Sequence, residues 1–253
     1  MVTSVPADAL ELVARIPTAS NETFLARLGG SEVIYKPSAG EQPLWDFPNG
    51  DLARRELAAY LVSEELGWNI VPRTWLGDGP LGPGMVQLWQ HTTGTAAIEV
   101  LPTDAVPHDG WRVVFEGEDE HGRTVALVHE DSAALRRMAV FDALVNNADR
   151  KGGHVLVMQH GHRFGVDHGL TFHVEHKLRT VLWGWVGEPL NANETRGIER
   201  LRASIDGELG VRLAELIEGD EIEALADRCD TLLALPVFPA PSGWMPATPW
   251  PLF

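Results

Sequence analysis

The chain is short of cysteine and of basic residues, and both shortages restrict what the protein can be. Cys229 is the only cysteine among 253 residues, so no disulfide can form within the chain, which suits a reducing cytosol. Lysine and arginine number 20 against 36 aspartates and glutamates, and the formal net charge is −16. So acidic a surface repels phosphate backbones and anionic headgroups, which disfavours nucleic acid or a membrane surface as the partner.

Long apolar runs are also absent. No stretch of 18 apolar residues occurs, so we expect no transmembrane helix. The stretch from Met1 to Pro17 lacks the basic start and apolar run of a signal peptide, so we expect a cytoplasmic protein. Apolar residues make up 44% and charged residues 22%, as in soluble globular proteins, and the length permits one large domain or two closely packed lobes.

The first third of the chain has the pattern of a small β-rich lobe, expected to span residues 1–89. Several short apolar runs alternate with polar residues, and Gly29–Gly30 suits the turn of an antiparallel hairpin. In chain order we expect a short helix or strand at 8–16, strands at 23–28 and 32–36, a loop at 37–49, a helix capped by Asp51 that runs to 66, and strands at 70–76 and 85–89.

The larger remainder is expected to be mainly helical, which makes the fold class α+β. Helices are predicted at 131–147, 192–218 and 220–234, and a short hairpin at 155–166 turns about Gly161. These elements form a second lobe over residues 90–235. Six prolines and four aromatic residues follow in 236–253, which excludes a helix there. This composition favours a strap packed on the second lobe, with a partner-binding segment as the alternative.

Two aspartates flank the short hairpin of the second lobe. Asp149 precedes its first strand and Asp167 follows its second, so an antiparallel pairing brings both carboxylates to one end. Phosphoryl transfer uses such a pair: one carboxylate orients or deprotonates the attacking hydroxyl, and the other holds a Mg²⁺ ion at the phosphates. His154 stands where a further metal ligand is expected. Arg150 and Lys151 are expected to add positive charge near the transferring phosphoryl group.

The first lobe offers the other groups that a nucleotide phosphate needs. Lys36 ends the predicted strand EVIYK, Glu56 lies on the following helix, and the loop TASNETF at 18–24 suits a turn over the phosphates. Taken singly, such a lysine is typical of a solvated strand end, such a glutamate of a helix surface, and an aspartate such as Asp149 of a helix cap. The order lysine, glutamate, aspartate, aspartate, divided between two lobes, favours a kinase.

Five short motifs resemble the phosphatidylinositol 3-/4-kinase-like family. They are Lys36–Pro37, NIVPRT at 69–74, VQLW at 86–89, NNADR at 146–150 and VDHGLTF at 166–172. The chain is most similar to type II phosphatidylinositol 4-kinases and their bacterial relatives, and HipA-type Ser/Thr kinases share the broader pattern. The resemblance covers about residues 18–190. It implies a two-lobed protein-kinase-like fold with ATP in the cleft.

The resemblance also implies a role for each matching residue. In the first lobe it places Lys36 on the ATP phosphates, with Glu56 as its partner. In the second it makes Asp149 the catalytic aspartate and Asp167 a metal ligand. The nucleotide-binding residues further include a phosphate-covering turn and an adenine-binding hinge, at Ser20, Asn21, Glu22, Thr23, Gln87, Leu88 and Trp89.

Two departures from the family modify these expectations. The metal-binding asparagine of the family is His154 here, and a neutral imidazole suits Mn²⁺ better than Mg²⁺, so we expect more activity with Mn²⁺. The cysteine-rich palmitoylated insert of the lipid kinases is missing, and the chain is strongly acidic. We therefore expect ATP to phosphorylate a small soluble hydroxyl acceptor, inositol-, sugar- or phosphoinositide-like, without stable membrane association.

Other interpretations stay open. The chain is alternatively a HipA-type Ser/Thr protein kinase, or a nucleotide-binding pseudokinase, which His154 favours. Six of the ten histidines lie between His154 and His176, and three of them with Glu175 suggest a zinc site, as in a metal-dependent hydrolase. No zinc-site motif accompanies them. The loop of His173 and His176, next to Lys177, suits an anionic acceptor in a kinase.

Overall fold

A five-stranded sheet with one long helix against it forms the N-terminal part of the protein. The computed structural model describes residues 10–17, 21–41, 52–242 and 246–253. The strands are β1 (Leu10–Arg15), β2 (Phe24–Leu28), β3 (Ser31–Pro37), β4 (Thr74–Gly79) and β5 (Gly82–Leu88), and the helix α1 is Leu52–Leu66. The strand order is β1-β2-β3-β5-β4, and every neighbouring pair is antiparallel.

Alternation along β3 decides which of its residues face away from the core of the sheet. Val33 and Tyr35 are fully buried in the small apolar core that β1, β2, β3 and β5 share. Lys36 lies on the opposite face and pairs across the ladder with Met85 of β5. A Cβ atom at Gly84 would lie 2.2 Å from the Lys36 carbonyl oxygen, so a glycine is needed where β5 passes the lysine.

The expected strand at 70–76 begins only at Thr74. The backbone N–H groups of Ile70 and Val71 donate to the hydroxyl of Ser63 on α1, at 2.8 and 3.0 Å. These residues are therefore bonded to the helix and do not join the sheet. The expected helix or strand at 8–16 is the strand β1, whereas the expected cap Asp51 lies outside the described residues.

The C-terminal part, as far as it is described, contains helices, a three-stranded sheet and a short hairpin. Its elements are β6 (Ile98–Pro102), β7 (Trp111–Glu118), β8 (Thr124–Glu130), α2 (Ala133–Val145), β9 (Val155–Val157), β10 (Arg163–Gly165), α3 (Ala192–Ile205), α4 (Glu208–Leu213) and α5 (Gly219–Ala234). One large apolar core joins α2, α3 and α5 to the buried face of α1. The expected α+β fold, β-rich first and mainly helical beyond, is confirmed. Among all the residues that the structure describes, in both parts of the chain, no helix is long and apolar enough to cross a membrane.

The three-stranded sheet, in the order β6-β8-β7, lies in a stretch for which the sequence predicts no strand. Its central strand is buried: Leu127 and Val128 are at most 1% exposed. Its outer strands expose apolar residues, Val100 at 42% and Val113 at 46%. Apolar residues on both faces hide the strict alternation that marks a half-buried strand.

The expected long helix at 192–218 is divided into α3 and α4. Asp206 and Gly207 separate the two helices, and the Gly207 N–H donates to the Ser204 carbonyl at 3.0 Å. The described part of 236–253 contains no helix and lies along the C-terminal part. For example, the Thr180 N–H donates to the Ala247 carbonyl at 3.1 Å.

His129 of β8 is a buried histidine held in one neutral tautomer. Its Nδ1 lies 2.9 Å from the Glu130 carbonyl oxygen, and its Nε2 lies 3.0 Å from the Gly184 amide nitrogen. The ring therefore donates through Nδ1 and accepts through Nε2. Burial lowers the pKa of His129 to about 4.

We expect His129 to make the stability of the fold depend on pH between about 4 and 6.5. An unfolded histidine has a pKa of about 6.5, so in this range the unfolded chain binds a proton that the folded chain does not. The free energy of unfolding therefore falls as the pH falls, by roughly 2 kcal/mol between pH 7 and pH 5 from this group. Urea unfolding of the wild type and of His129→Gln at both pH values measures the effect. An equal pH dependence of the two proteins would contradict it.

Candidate active site

Three charged side chains meet where the N-terminal sheet faces the C-terminal part. The Lys36 ammonium lies 2.6 Å from Glu56 Oε1 of α1 and 2.7 Å from Asp167 Oδ1, just after β10. The two carboxylates are 20 and 131 residues away from the lysine in sequence. The structure thus brings together the expected lysine–glutamate pair and the expected metal-binding aspartate.

Glu56 is anchored on both of its carboxylate oxygens. Oε1 accepts from Lys36, and Oε2 accepts from the His168 N–H at 3.0 Å. The side chain of Glu56 is 2% exposed. The helix α1 therefore holds the lysine through a carboxylate that is itself tied to the chain segment after Asp167.

The charges of this cluster stabilise one another. Burial opposes the charged form of Lys36, but Asp167 and Glu56 outweigh it and raise the pKa of the lysine above its usual value. The lysine charge in turn holds the pKa of Asp167 well below its usual range. Lys36 and Asp167 are therefore both ionised at neutral pH.

Asp167 has a backbone conformation that few residues other than glycine adopt. Its φ is 61°, in the left-handed region that aspartate tolerates better than most residues. Its side chain is half-exposed, and Oδ2 lies 3.4 Å from His154 Nε2 while Oδ1 faces Lys36. Such sparsely populated conformations cluster at ligand-binding and catalytic sites.

His154 presents a lone pair to Asp167. Its Nδ1 lies 2.9 Å from the Asp149 carbonyl oxygen, which only accepts, so Nδ1 carries the proton. Burial lowers the pKa of His154, which favours the neutral ring. Nε2 and Asp167 Oδ2 then face each other with lone pairs and no proton between them. Two such atoms suit the ligands of a metal cation. A carbonyl that fixes the other ring nitrogen is usual for a metal-binding histidine.

The histidine-rich stretch does not form the suggested zinc site. Across residues 10–17, 21–41, 52–242 and 246–253, no three His, Cys, Asp or Glu side chains are grouped so as to hold a metal ion. His168 is fully buried, and its Nε2 lies 2.7 Å from Arg150 Nη2. His173 Nδ1 accepts from the Glu175 N–H at 3.0 Å. The zinc interpretation is therefore not supported.

Asp149 presents its carboxylate to the same cleft from a loop that is held on both sides. Its N–H donates to Asn147 Oδ1 at 3.0 Å, and its carbonyl accepts from His154 Nδ1. Its Oδ2 lies 3.1 Å from the Lys151 ammonium, and its side chain is 24% exposed. The geometry suits a carboxylate that orients or deprotonates a hydroxyl, with a cation beside it.

Contrary to the expectation from the sequence, the charge of Arg150 does not lie where a transferring phosphoryl group could reach it. Its side chain is 0% exposed and pairs with the equally buried Asp142 of α2 at 2.8 Å. Its Nη1 donates to the carbonyls of His154 and Val166, at 3.3 and 3.2 Å. The guanidinium therefore ties the two ends of the hairpin to α2 and does not reach the cleft.

The cleft has a volume of about 830 Å³, part of which is open to solvent. It is lined by Lys36, Glu56, Asp149 and Asp167 together with residues of the β3–α1 segment. Among these, Glu41 accepts from the N–H groups of Leu52 and Ala53 at the start of α1, at 3.0 and 2.9 Å. All four main residues of the expected site thus border one space.

The expected phosphate-covering turn reaches the cleft through one of its described residues. Asn21 lies in the cleft lining. Thr23 is 5% exposed, and its hydroxyl donates to the Asn21 carbonyl at 3.2 Å. It therefore stabilises the turn without facing the cleft. Glu22 packs beside Gly40 and is not part of the lining. Ser20 lies outside the described residues.

The expected adenine-binding hinge has its donors engaged elsewhere. The N–H groups of Leu88 and Trp89 donate to the carbonyls of Arg73 and Glu32, each at 3.0 Å. The buried side chain of Gln87 donates to Thr74 Oγ1 at 2.8 Å. The N–H groups of Leu88 and Trp89 are therefore not available to adenine, and a hinge role for the other backbone groups of these residues stays a prediction.

Two asparagines, Asn146 and Asn147, hold the chain around Asp149, and the motifs considered in the sequence do not predict this role. Asn147 accepts from the Asp149 N–H and donates through Nδ2 to Asp142 at 3.0 Å. Asn146, in the left-handed conformation at the end of α2, donates to the carbonyls of His173 and Glu175. The motif NNADR thus has one residue in the cleft and three that hold the surrounding chain. The consecutive asparagines after an apolar helix were the available signal.

No family model matches the chain. The crystal structure of a Helicobacter pylori proinflammatory kinase, CtkA, covers 90% of this chain and 92% of its own at 11% identity, with a TM-score of 0.46. So weak a likeness says nothing about activity. Protein Rv2133c of Mycobacterium tuberculosis (strain ATCC 25618 / H37Rv) is 48% identical over an alignment 258 positions long, gaps included, that covers 96% of this chain and 92% of that protein. The chain therefore belongs to the family of protein Rv2133c.

Proposed function

We propose that the protein is a kinase-like ATP-dependent phosphotransferase that moves the γ-phosphoryl group of ATP to a hydroxyl of a small soluble acceptor. The observation that carries the proposal is the contact of Lys36 with Glu56 and Asp167, at 2.6 and 2.7 Å, beside Asp149 in one cleft. Kinases position a nucleotide with such a strand lysine, its helix glutamate, and two aspartates that face the transferring group.

Each residue has a separate task in this proposal. Lys36 binds the nucleotide phosphates, and Glu56 keeps the lysine in place. Asp149 accepts or orients the proton of the attacking hydroxyl. Asp167 Oδ2 and His154 Nε2 would hold a divalent cation, Mg²⁺ or Mn²⁺, for which the phosphates supply further oxygen ligands. A cation bound there would neutralise charge on the phosphates.

The acceptor is proposed to be inositol-, sugar- or phosphoinositide-like, as the resemblance to phosphatidylinositol 3-/4-kinases implies. Lys177, which favours an anionic acceptor, and Arg163, a basic residue of β10, are both partly neutralised within the protein. Lys177 lies 3.3 Å from Glu175, and Arg163 lies 2.6 Å from Glu130. A soluble polyol or a lightly phosphorylated one therefore suits the site better than a membrane surface.

The proposal is tested by measuring ATP binding and ATP consumption with Mg²⁺ and with Mn²⁺. Acceptors to offer are polyols, inositol phosphates, phosphoinositides and a generic protein. We expect Lys36→Met to weaken ATP binding roughly 10- to 100-fold, because a charge-assisted hydrogen bond contributes about 1.5–3 kcal/mol. Lys36→Arg, which keeps the charge, serves as the control for folding. Equal ATP affinity of the wild type and Lys36→Met would contradict the proposed site.

The same assay separates two other functions. Phosphate incorporated into protein, with none on small acceptors, would identify a HipA-type Ser/Thr protein kinase. ATP binding without turnover would identify a pseudokinase, which is the outcome that His154, in place of the asparagine of the family, favours.

The metal preference supplies a separate prediction for His154. An imidazole nitrogen favours Mn²⁺ over Mg²⁺, whereas an amide oxygen suits Mg²⁺. We expect His154→Asn to lower the ratio of the Mn²⁺-supported to the Mg²⁺-supported rate by about tenfold. Turnover measured over a range of both metal concentrations gives the ratio. An unchanged ratio would remove His154 from the metal site.

A further inference from the structure

The chain segment from Ala247 to Phe253, here named the docked segment, lies against the loop that carries Asp149. The Gly152 N–H, in the middle of that loop, donates to the Leu252 carbonyl at 2.8 Å. At its other end the docked segment is bonded to 180–183: Ala247 O accepts from the Thr180 N–H at 3.1 Å and from Trp183 Nε1 at 2.8 Å. The segment therefore links the loop of Asp149 to the stretch 180–183.

The ring of Phe253 rests directly on Gly152. A Cβ atom at Gly152 would lie 2.4 Å from Phe253 Cε1 and 2.6 Å from Cδ1, closer than any real contact. Gly152 is outside the left-handed region, so its backbone conformation does not itself require glycine. A side chain at position 152 would therefore displace the ring of Phe253, which is 54% exposed and covers the glycine with one side. Trp250 in the same segment is 86% exposed.

The other bonds of the loop fix its two ends or join its own residues, as where the His154 N–H donates to the Lys151 carbonyl at 3.1 Å. The Arg150 N–H donates to the Arg179 carbonyl at 3.0 Å, and the His154 side chain bonds to the Asp149 carbonyl. Between them, the backbone of Gly152 is held from outside the loop by Leu252 and Phe253. A shift there would move Asp149 and the ring of His154 together.

We propose that Phe253 is a positioning residue for Asp149, and that the docked segment holds the loop of Asp149 in its active geometry. The proposal rests on the proposed phosphotransferase function. Displacement of a catalytic group by about 1 Å can lower a rate by roughly 10²-fold. A side chain that never touches the reactants can in this way control turnover.

The test uses the matching sizes of Phe253 and Gly152 in the full chain. We expect Phe253→Ala to lower kcat at least about tenfold with KM for ATP within about twofold of the wild type. Gly152→Ala should do the same by pushing the ring away. In the double variant Gly152→Ala/Phe253→Ala, the added methyl group occupies space that the ring no longer fills. The kcat of the double variant should therefore be higher than that of Gly152→Ala alone. Trp250→Ala is the aromatic control and should leave kcat unchanged.

Amide hydrogen exchange of residues 149–154, followed by mass spectrometry, provides a readout that needs no activity. We expect at least about tenfold faster exchange in Phe253→Ala than in the wild type or Trp250→Ala, because the Gly152 N–H loses its protection. Unchanged exchange in Phe253→Ala would overturn the proposal, whether or not the protein turns over ATP. Faster exchange with unchanged kcat would also overturn it. Failure of the wild type to consume ATP with any acceptor would count against the phosphotransferase function and leave exchange to decide the contact.

Discussion

Replacement of Asp149 by asparagine is expected to lower ATP turnover roughly 10²- to 10⁴-fold while ATP binding stays within a few-fold of the wild type. The amide has the size of the carboxylate, and the backbone bonds of this residue to Asn147 and His154 do not involve its side chain. The variant therefore loses a proton acceptor in an otherwise intact loop. The nucleotide phosphates are bound elsewhere in the cleft, by Lys36 in the proposal.

Single-turnover kinetics and calorimetric ATP titration measure the two effects separately. Lys36→Met is the complementary control, because it should impair binding before any step that Asp149 performs. A variant Asp149→Asn with the turnover of the wild type would show that the carboxylate does not act on the acceptor. Loss of ATP binding in that variant would instead assign Asp149 to the nucleotide site.

Replacement of Arg150 by methionine is expected to destabilise the fold by about 3–5 kcal/mol, because it leaves the carboxylate of Asp142 buried without its cation. Arg150 and Asp142 are both 0% exposed, and Arg150 also satisfies the carbonyls of His154 and Val166. The loss corresponds to a fall in Tm of roughly 10 °C for a chain of this size. Urea and thermal unfolding measure it directly.

Lys151→Met is the matched control, since it removes the neighbouring positive charge, whose partner Asp149 borders the cleft and keeps contact with solvent. Its effect on the free energy of unfolding should stay within about 1 kcal/mol. The double variant Asp142→Leu/Arg150→Met should be less destabilised than the two single variants together, because neither charge is left alone. Similar stabilities of Arg150→Met and Lys151→Met would contradict the structural role of Arg150.

The order of four charged residues in the sequence was enough to predict which side chains border the cleft. The sequence places Lys36 at the end of a predicted strand, and a hairpin between Asp149 and Asp167 predicts that both carboxylates reach the same end of it. Their geometry follows from local patterns of period two and from one tight turn, which sequence periodicity reports well.

The remainder depends on contacts between distant segments, which periodicity does not report. The burial of Arg150 is decided by Asp142, which lies on a helix face that looks uniformly apolar in sequence. The N–H groups of Leu88 and Trp89 donate to the carbonyls of Arg73, just before β4, and of Glu32 in β3. These bonds therefore depend on how the three strands are paired. The contact of Phe253 with Gly152 joins residues about a hundred positions apart.

The membership of α1 in the large core has a mechanical consequence. The helix carries Glu56, and its apolar face packs with α3 and the other C-terminal helices. The helix also contacts β4 and β5, so it lies between the sheet and the C-terminal helices and carries Glu56 to their boundary. The two ion pairs of Lys36 therefore join the sheet both to this helix and to the segment of Asp167. A phosphate that takes the place of Asp167 on Lys36 would break the second of these links and leave the first.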